Sequence, residues 1–466
     1  MIGKGRNTLL PKVKVVGAGL AGSEAALQLA DRGVQVELYE MRPSKQTPAH
    51  HTGDFAELVC SNSLKSLDGA SAAGILKYEM TMLGSRVLEI AFDSAIPAGK
   101  ALAVDRTIFS QRVTDEIHSH PNIEVIEEEL VQVPSGPAII ATGPLTSDTL
   151  AASIQEMLGT EFLSFYDAAA PIVSADSIDR DKVFAQSRYG KGGDDYLNAP
   201  FSKAEYEEFV EALLGAEKAI PRDFESKELF SACQPVEEIA RTGKDALRYG
   251  PLKPVGLVDP NTGHRPWAVV QLRCENSATS AYNLVGFQTN LKFGEQERVF
   301  HMIPGLEEAE FLRYGVMHRN TFIDSPHALA PTFEVENRPG IRFAGQITGT
   351  EGYSEAIASG LYVALATYSQ LIGVKFPELP TTTAFGSLAR YASSPETTNY
   401  QPMHVNFGIF DPLETRIKNK QERYRAYALR AREHITRYRE ELAGLGLIDG
   451  NAKVEIPEAL LEYIPR

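Results

Sequence analysis

The sequence predicts an α/β protein: a Rossmann-like domain with a smaller α+β domain inserted into it. Three observations carry that expectation. A strand, glycine turn, helix and second strand occupy residues 13–39, VKVVGAGLAGSEAALQLADRGVQVELY. The patterning changes character between roughly Val183 and Asp324, and Rossmann-type patterning returns at Gly340–Ala364, GIRFAGQITGTEGYSEAIASGLYVA. A chain of 466 residues also exceeds what one core usually holds, so two domains are expected.

In the first unit, the apolar run Val13–Val16 reads as a buried strand that ends in Gly17-Ala18-Gly19-Leu20-Ala21-Gly22. A helix follows, Gly33 closes it, and a second strand over Val34–Tyr39 ends at Glu40. G-x-G-x-x-G in this setting is a dinucleotide fingerprint. Gly17 permits the turn, Gly19 lets backbone approach a pyrophosphate, and Gly22 lets helix and strand pack closely. The helix start offers unpaired N–H groups and the positive end of its dipole to phosphates. Glu40 stands about 20 residues on, where a carboxylate accepts a ribose 2′-OH. An acid there disfavours a 2′-phosphate, so the ligand expected is FAD or NAD rather than NADP.

Pro43–Ser66 is too long for a simple connector and is expected to serve a site. Ala70–Ile90 reads as one helix and Thr107–His118 as another. Ile123–Ile126 and Leu130–Val133 read as short strands, and Ala138–Gly143 as a buried strand returning to the cofactor at Gly143. In the inserted part, glycines cluster at Gly190–Gly193, a helix covers Lys203–Leu214, and strands cover Trp267–Arg273 and Tyr282–Phe287. Later a strand over Ile341–Ala344 meets Gly345 and Gln346, then a turn through Gly349, then a helix from Ser354. Two helix starts facing one ligand suit an extended second half such as flavin. The domains expected are 12–182 and 325–445 for the nucleotide-binding part, 183–324 for the insertion, and 446–466 as an extension.

A hydrophobic content of 43% and a charged content of 23% are ordinary for a globular protein, and no run is apolar enough to span a bilayer. Glu24 inside the apolar N-terminal stretch argues against a signal peptide. Cys60, Cys233 and Cys274 make no metal spacing, so no metal is expected, and their isolation suits a reducing cytoplasm. The net charge of −15 disfavours indiscriminate nucleic-acid binding. Yet Arg416–Arg439 carries nine Lys/Arg against two acids. Read as one helix over Leu413–Leu442, it sets Arg416, Lys420, Arg423, Arg430 and Arg437 in a stripe beside an apolar one formed by Leu413, Ile417, Tyr424, Ala428, Ala431, Ile435, Tyr438 and Leu442. That stripe is either an RNA contact or a solvated face.

Several segments together resemble one family. They are GAGLAGSEAA at the N-terminus, ELVCSNSL at Glu57–Leu64, AVDR at Ala103–Arg106, GPLKPVGL at Gly250–Leu257, YNLVGFQTNL at Tyr282–Leu291 and YGVMHRNTF at Tyr314–Phe322. The chain from about Lys12 to Leu442 resembles the bacterial folate- and flavin-dependent tRNA (uracil-5-)-methyltransferases. Its AGQITGTEGY turn is shared with the longer flavoprotein of wobble-uridine modification, which is the alternative reading, beside an RNA-independent flavin oxidoreductase. The resemblance implies a glutathione-reductase-like FAD-binding domain, 5,10-methylenetetrahydrofolate as carbon donor, NAD(P)H as electron source, and a T-loop uridine of tRNA as acceptor. It implies no obligate protein partner.

The resemblance also makes Cys233 the nucleophile, since a thiolate at uracil C6 makes C5 enolate-like. Cys60 becomes its partner near the flavin, and Cys274 reads as structural. Gln346 stands where flavoproteins often carry an Asp toward the ribitol; an amide can make that hydrogen bond. His50, His51, Glu351 and Tyr353 are base candidates by position alone.

Overall fold

The computed structural model describes residues 10–47, 49–159, 163–190, 193–220, 234–398 and 400–461. The larger unit is built on a five-stranded sheet of β1 (Val13–Val16), β2 (Val36–Tyr39), β3 (Ile123–Ile126), β4 (Ala138–Ile140) and β5 (Ile341–Phe343). Every pairing is parallel, in the order β5-β4-β1-β2-β3. Neighbouring residues such as Val15 and Val16, or Ile139 and Ile140, are all buried. Both faces are therefore covered at the centre of the sheet, which is why β1 and β4 read as short apolar runs, whereas β2 and the edge strand β3 alternate and turn Glu37 and Glu124 to the more open face. The strand order reverses at β1, the point where α/β sheets open a crevice at their carboxyl ends.

The helices around this sheet include α1 (Leu20–Asp31), α2 (Ala72–Met82), α3 (Arg86–Asp93), α4 (Arg106–Ser119), α5 (Tyr353–Leu371), α6 (Ala384–Ser393) and α7 (Lys420–Gly444), with a further one at Asp148–Leu158. Three glycines set how closely they pack. Gly17 adopts φ +95°, and a Cβ there would lie 2.7 Å from the Ala141 carbonyl oxygen. A Cβ on Gly22 would lie 1.8 Å from the carbonyl oxygen of Gly17, and one on Gly360 2.2 Å from that of Ala21. Helix α1 is thus pressed backbone to backbone against the turn on one side and α5 on the other.

The single helix expected over Ala70–Ile90 is two, α2 and α3. Gly84 at φ +79° ends the first, and Ser85 caps the second through Leu88 N–H. The decisive group lies elsewhere in the chain. Glu24 of α1, fully buried, accepts from Val87 N–H (2.8 Å), Arg86 N–H (3.2 Å) and Ser85 Oγ (3.0 Å), and so caps α3 from outside it. Leu130–Val133 is not a strand; Val133 N–H instead donates to Ser153 Oγ. The helix expected from Leu413 starts at Lys420, because Asn419 Oδ1 takes the N–H groups of Gln421 and Glu422. Leu413, Arg416 and Ile417 therefore precede α7, while Ala428, Ala431, Ile435, Tyr438 and Leu442 are buried along it.

The smaller unit is a six-stranded antiparallel sheet in the order 184–185, 196–201, 268–274, 281–284, 172–174 and 311–313. It takes in Ile172–Ser174, upstream of the expected start at 183, because Val173 pairs with Tyr282 on one side and Phe311 on the other. A separate core containing Phe201, Phe209, Phe287 and Phe300 fills it. An antiparallel ribbon of Leu163–Ala168 with Met317–Phe322 carries the chain into and out of this unit. The extension returns along α7 and buries Leu447 and Leu460, with Arg32 Nε on the Leu447 carbonyl (2.8 Å) and Arg432 Nη2 on that of Leu460 (2.5 Å). Among the described residues no helix is long and apolar enough to cross a membrane.

Glu79 of α2 repeats the device of Glu24. It is buried and accepts from the N–H groups of Ala384 (2.7 Å) and Phe385 (3.0 Å) at the start of α6. Burial lifts its carboxyl to about 8, against the pull of those two donors. The folded chain then holds a proton that the open chain releases, so stability falls as pH rises from the ordinary carboxyl range through about 8. Glu79→Gln stays neutral throughout and is expected to flatten that decline. Tm measured against pH for the two proteins checks it.

Candidate functional site

A cleft opens at the carboxyl ends of the parallel strands. Gly17, Gly19, Leu20, Ala21, Glu40, Gly143, Gly345 and Gln346 all line it, and so does Cys60. Ala18, Gly22 and Gly349 do not. Gly22 lies behind the turn, and Gly349, at φ +77°, packs under Tyr400, whose hydroxyl lies 2.3 Å from where its Cβ would be. Gly19 behaves differently from its neighbours: it caps α1 without a side chain, and a Cβ on it would meet nothing within 4 Å. The first turn of α1 thus presents its N–H groups to open space. Helix α5 also starts at a glycine, Gly352, without a side-chain cap.

Glu40 is buried and doubly held. Its Oε2 accepts from Ala18 N–H (2.8 Å), which ties the acid to the glycine turn, and its Oε1 accepts from Arg42 Nε (3.1 Å). Burial alone would raise its carboxyl; Arg42 and these donors outweigh it and hold the group below the usual range, ionised. Arg42, itself buried, also reaches Glu57 Oε2 (3.3 Å). Glu57 in turn accepts from the N–H groups of His51 and Thr52. The long loop after β2 is therefore folded onto the acid by one guanidinium between two carboxylates.

The Cys60 segment is held from several directions. Tyr353, the first residue of α5, accepts from Cys60 N–H (2.8 Å) and Ser61 N–H (3.3 Å). Arg106 Nη1 donates to the Leu58 carbonyl and Arg313 Nη2 to that of Val59. Arg273 reaches Ser61 Oγ and Asn62 Oδ1, both at 2.9 Å. Asn62, fully buried, gives its amide hydrogens to the carbonyls of Val104 (3.1 Å) and Cys274 (3.0 Å). Burial keeps the Tyr353 phenol protonated well above its ordinary range. Burial, with Arg42 nearby, holds His50 down to about 4, so this cleft-lining imidazole is neutral at physiological pH.

Cys233 lies outside the described residues. Cys274 ends its strand with its thiol on the Asn276 carbonyl (2.9 Å). The five cations read as an RNA stripe lie away from the cleft, on α7 and just before it. Arg416 and Lys420 are exposed. Arg423 turns inward to the Ile417 carbonyl (3.1 Å), Arg430 to those of Asp411 (2.5 Å) and Pro412 (2.8 Å), and Arg437 pairs with Glu433.

Sequence reading missed Arg42, Thr142, Thr146 and Asn320, all on the cleft. Arg42 and Thr142 were within reach, each being one or two residues from a motif already singled out. Asn320 lies inside the YGVMHRNTF segment, but nothing local ties it to the glycine turn, which the fold brings beside it from about 300 residues upstream. Asn320 is 1% exposed, and its Oδ1 has no protein partner, an acceptor left for a ligand's hydroxyl or N–H. Gln346 Nε2 donates to Glu351 (2.8 Å), which leaves its amide oxygen as a second acceptor.

The contrast between two glycines is testable. Gly19→Val is expected to leave the apoprotein's Tm nearly unchanged and to abolish retention of a dinucleotide, because the side chain fills the approach to the α1 N–H groups. Gly22→Val drives a methyl into the Gly17 carbonyl and is expected to prevent folding. Apoprotein melting and the absorbance of co-purified cofactor separate the two outcomes.

Residues 12–373 match the family model described as GIDA, glucose inhibited division protein A. The chain is 56% identical over 431 residues to the methylenetetrahydrofolate–tRNA-(uracil-5-)-methyltransferase TrmFO of Pelotomaculum thermopropionicum, covering 92% of this chain and 99% of that protein. It is 54% identical over 423 residues to the protein of the same name from Bacillus subtilis, covering 91% and 97%. Among solved structures, Aquifex aeolicus GidA superposes with a TM-score of 0.67 at 16% identity, over 96% of this chain and 75% of that one; this is a likeness of fold. Matched along almost its whole length at more than half identity, the chain belongs to the TrmFO group of the GidA family.

Proposed function

We propose that this protein transfers a one-carbon unit from 5,10-methylenetetrahydrofolate to C5 of a T-loop uridine in tRNA, giving 5-methyluridine, with FAD in the cleft and NAD(P)H as electron source. What carries the reading is full-length kinship to relatives named for that reaction. The widely spaced cysteines suit a reducing compartment, so the same reading places the protein in the cytoplasm.

The cleft's residues fit FAD. The open side of Gly19 and the uncapped start of α1 suit a pyrophosphate, and the ionised Glu40 suits the adenosine ribose. The amide oxygens of Gln346 and Asn320 are acceptors for the second half. When bound, FAD supplies the relay of the one-carbon unit and of hydride. The protein's part is to orient and activate. Cys233, as thiolate, adds to uracil C6; the new S–C6 bond moves the C5=C6 electrons onto C5, which then attacks the carbon. Loss of the C5 proton would free the carbon from its nitrogen carrier as an exocyclic methylene on the ring, and hydride added to that carbon would expel the sulfur from C6 and leave 5-methyluracil. Of the four base candidates only His50 and Tyr353 line the cleft. Tyr353 is held protonated and occupied by Cys60 N–H, which leaves neutral His50.

Unmodified tRNA incubated with the protein, methylenetetrahydrofolate and NAD(P)H is expected to yield 5-methyluridine on nucleoside analysis. Cys233→Ala should abolish that product while keeping flavin and tRNA bound. NAD(P)H oxidation indifferent to tRNA and folate, with uridine unchanged, would overturn the reading in favour of a plain oxidoreductase.

For RNA contact, the exposed Arg416 and Lys420 are the better probes, because Arg423 and Arg430 hold the segment before α7. Arg416→Gln with Lys420→Gln is expected to lower the slope of log K against log salt by roughly two for tRNA binding. An unchanged slope returns both cations to a solvated face.

A further inference from the structure

The Cys60 loop rests on an unusual charge arrangement. Arg106, Arg273 and Arg313 come from α4 and from two strands of the smaller unit, and all three reach the 58–62 backbone or its side chains. Among the described residues one acid answers them: Glu275, 6% exposed, whose Oε2 lies 2.7 Å from Arg106 Nη2. The other charges nearby are committed. Glu57, on the same loop, is taken by Arg42 and loop N–H groups. Asp105, next to Arg106, caps α4 and holds Ser277. Tyr196 and Tyr353 face the cluster as protonated phenols, and His50 across the cleft is neutral. Arg313 Nε is buried without a hydrogen-bond partner.

Desolvating a cation is costly unless an anion is close. Three guanidiniums sharing one carboxylate leave room for a second anion, and the group that opens from this floor into the cleft is the Cys60 side chain. We infer that Arg106, Arg273 and Arg313 form a cationic floor that keeps the Cys60 thiol ionised near neutral pH, with Glu275 tempering the effect. Two of the three arginines belong to the smaller unit, so the reactivity of Cys60 depends on that unit being docked. The arginines are positioning residues. The inference rests on the reading of Cys60 as an active-site thiol, yet its chemistry can be measured without folate or tRNA.

The test is iodoacetamide alkylation against pH in the flavin-loaded protein carrying Cys233→Ala and Cys274→Ser, where Cys60 is the sole thiol. The expected midpoint lies at least about one unit below the ordinary cysteine value of about 8.5. Arg313→Gln and Arg273→Gln should each raise it by about a unit, roughly a tenfold slower reaction below pH 7. Arg313→Lys, which keeps the charge, should restore most of the shift. Glu275→Gln should move the midpoint down, a direction that loosened packing does not produce. If the arginine variants lose flavin, the Glu275→Gln arm decides alone. An ordinary midpoint in the parent overturns the inference, as does a midpoint that Glu275→Gln leaves in place or raises. A low, arginine-dependent midpoint in a protein that transfers no methyl group would leave it standing while sinking the functional reading.

Discussion

The contact on which the rest depends is the backbone-to-backbone seating of α1. Gly22 lies against the Gly17 carbonyl, and Gly360 of α5 against that of Ala21. No side chain could occupy either gap, so the two helices approach each other and the sheet as closely as main chain allows. That places the uncapped starts of α1 and α5 near the same sheet edge. The cleft, the turn and the acid at Glu40 inherit their positions from it.

Buried ionisable side chains do the long-range fastening. Glu24 and Glu79 each leave one helix to cap the start of another, and Arg42 joins Glu40 to Glu57 across a loop. Removing one partner of the Arg42 ion pairs strands the other in a dry site, typically at about 3–5 kcal/mol. These groups make poor general-purpose stabilisers, but they specify which segment meets which. The Cys60 loop takes this furthest, since guanidiniums from both units converge on the carbonyls of Leu58 and Val59 and the side chains of Ser61 and Asn62.

The basic stripe before and along α7 shows the limit of reading charge from spacing. Arg423 and Arg430 recur at seven residues as an amphipathic pattern requires, yet both spend their donors on carbonyls of residues 411–417. An arginine beside an apolar stripe can lay its stem on the core and bond backbone nearby. Periodicity locates the face; it does not say whether the cation points to solvent.

The parallel sheet, the glycine turn and the acid at Glu40 were legible because their determinants are local. A turn that needs φ above zero, a helix start and an apolar strand each write themselves into consecutive residues, and the fold class followed. The kinship segments added the Cys60 loop. The division of α2 from α3 was hidden because its cap, Glu24, sits some 60 residues upstream. The start of the smaller unit's sheet was hidden because Ile172–Ser174 is a strand only by virtue of partners at 281–283 and 311–313. The arginine floor under Cys60 joins residues 58–62, 106, 273 and 313, and Asn320 completes the cleft from a strand beyond them. Sequence alone determined what each segment could become, since local sterics and burial act over a few residues; which distant charges and acceptors share one site was decided by packing, which acts only once the chain has closed on itself.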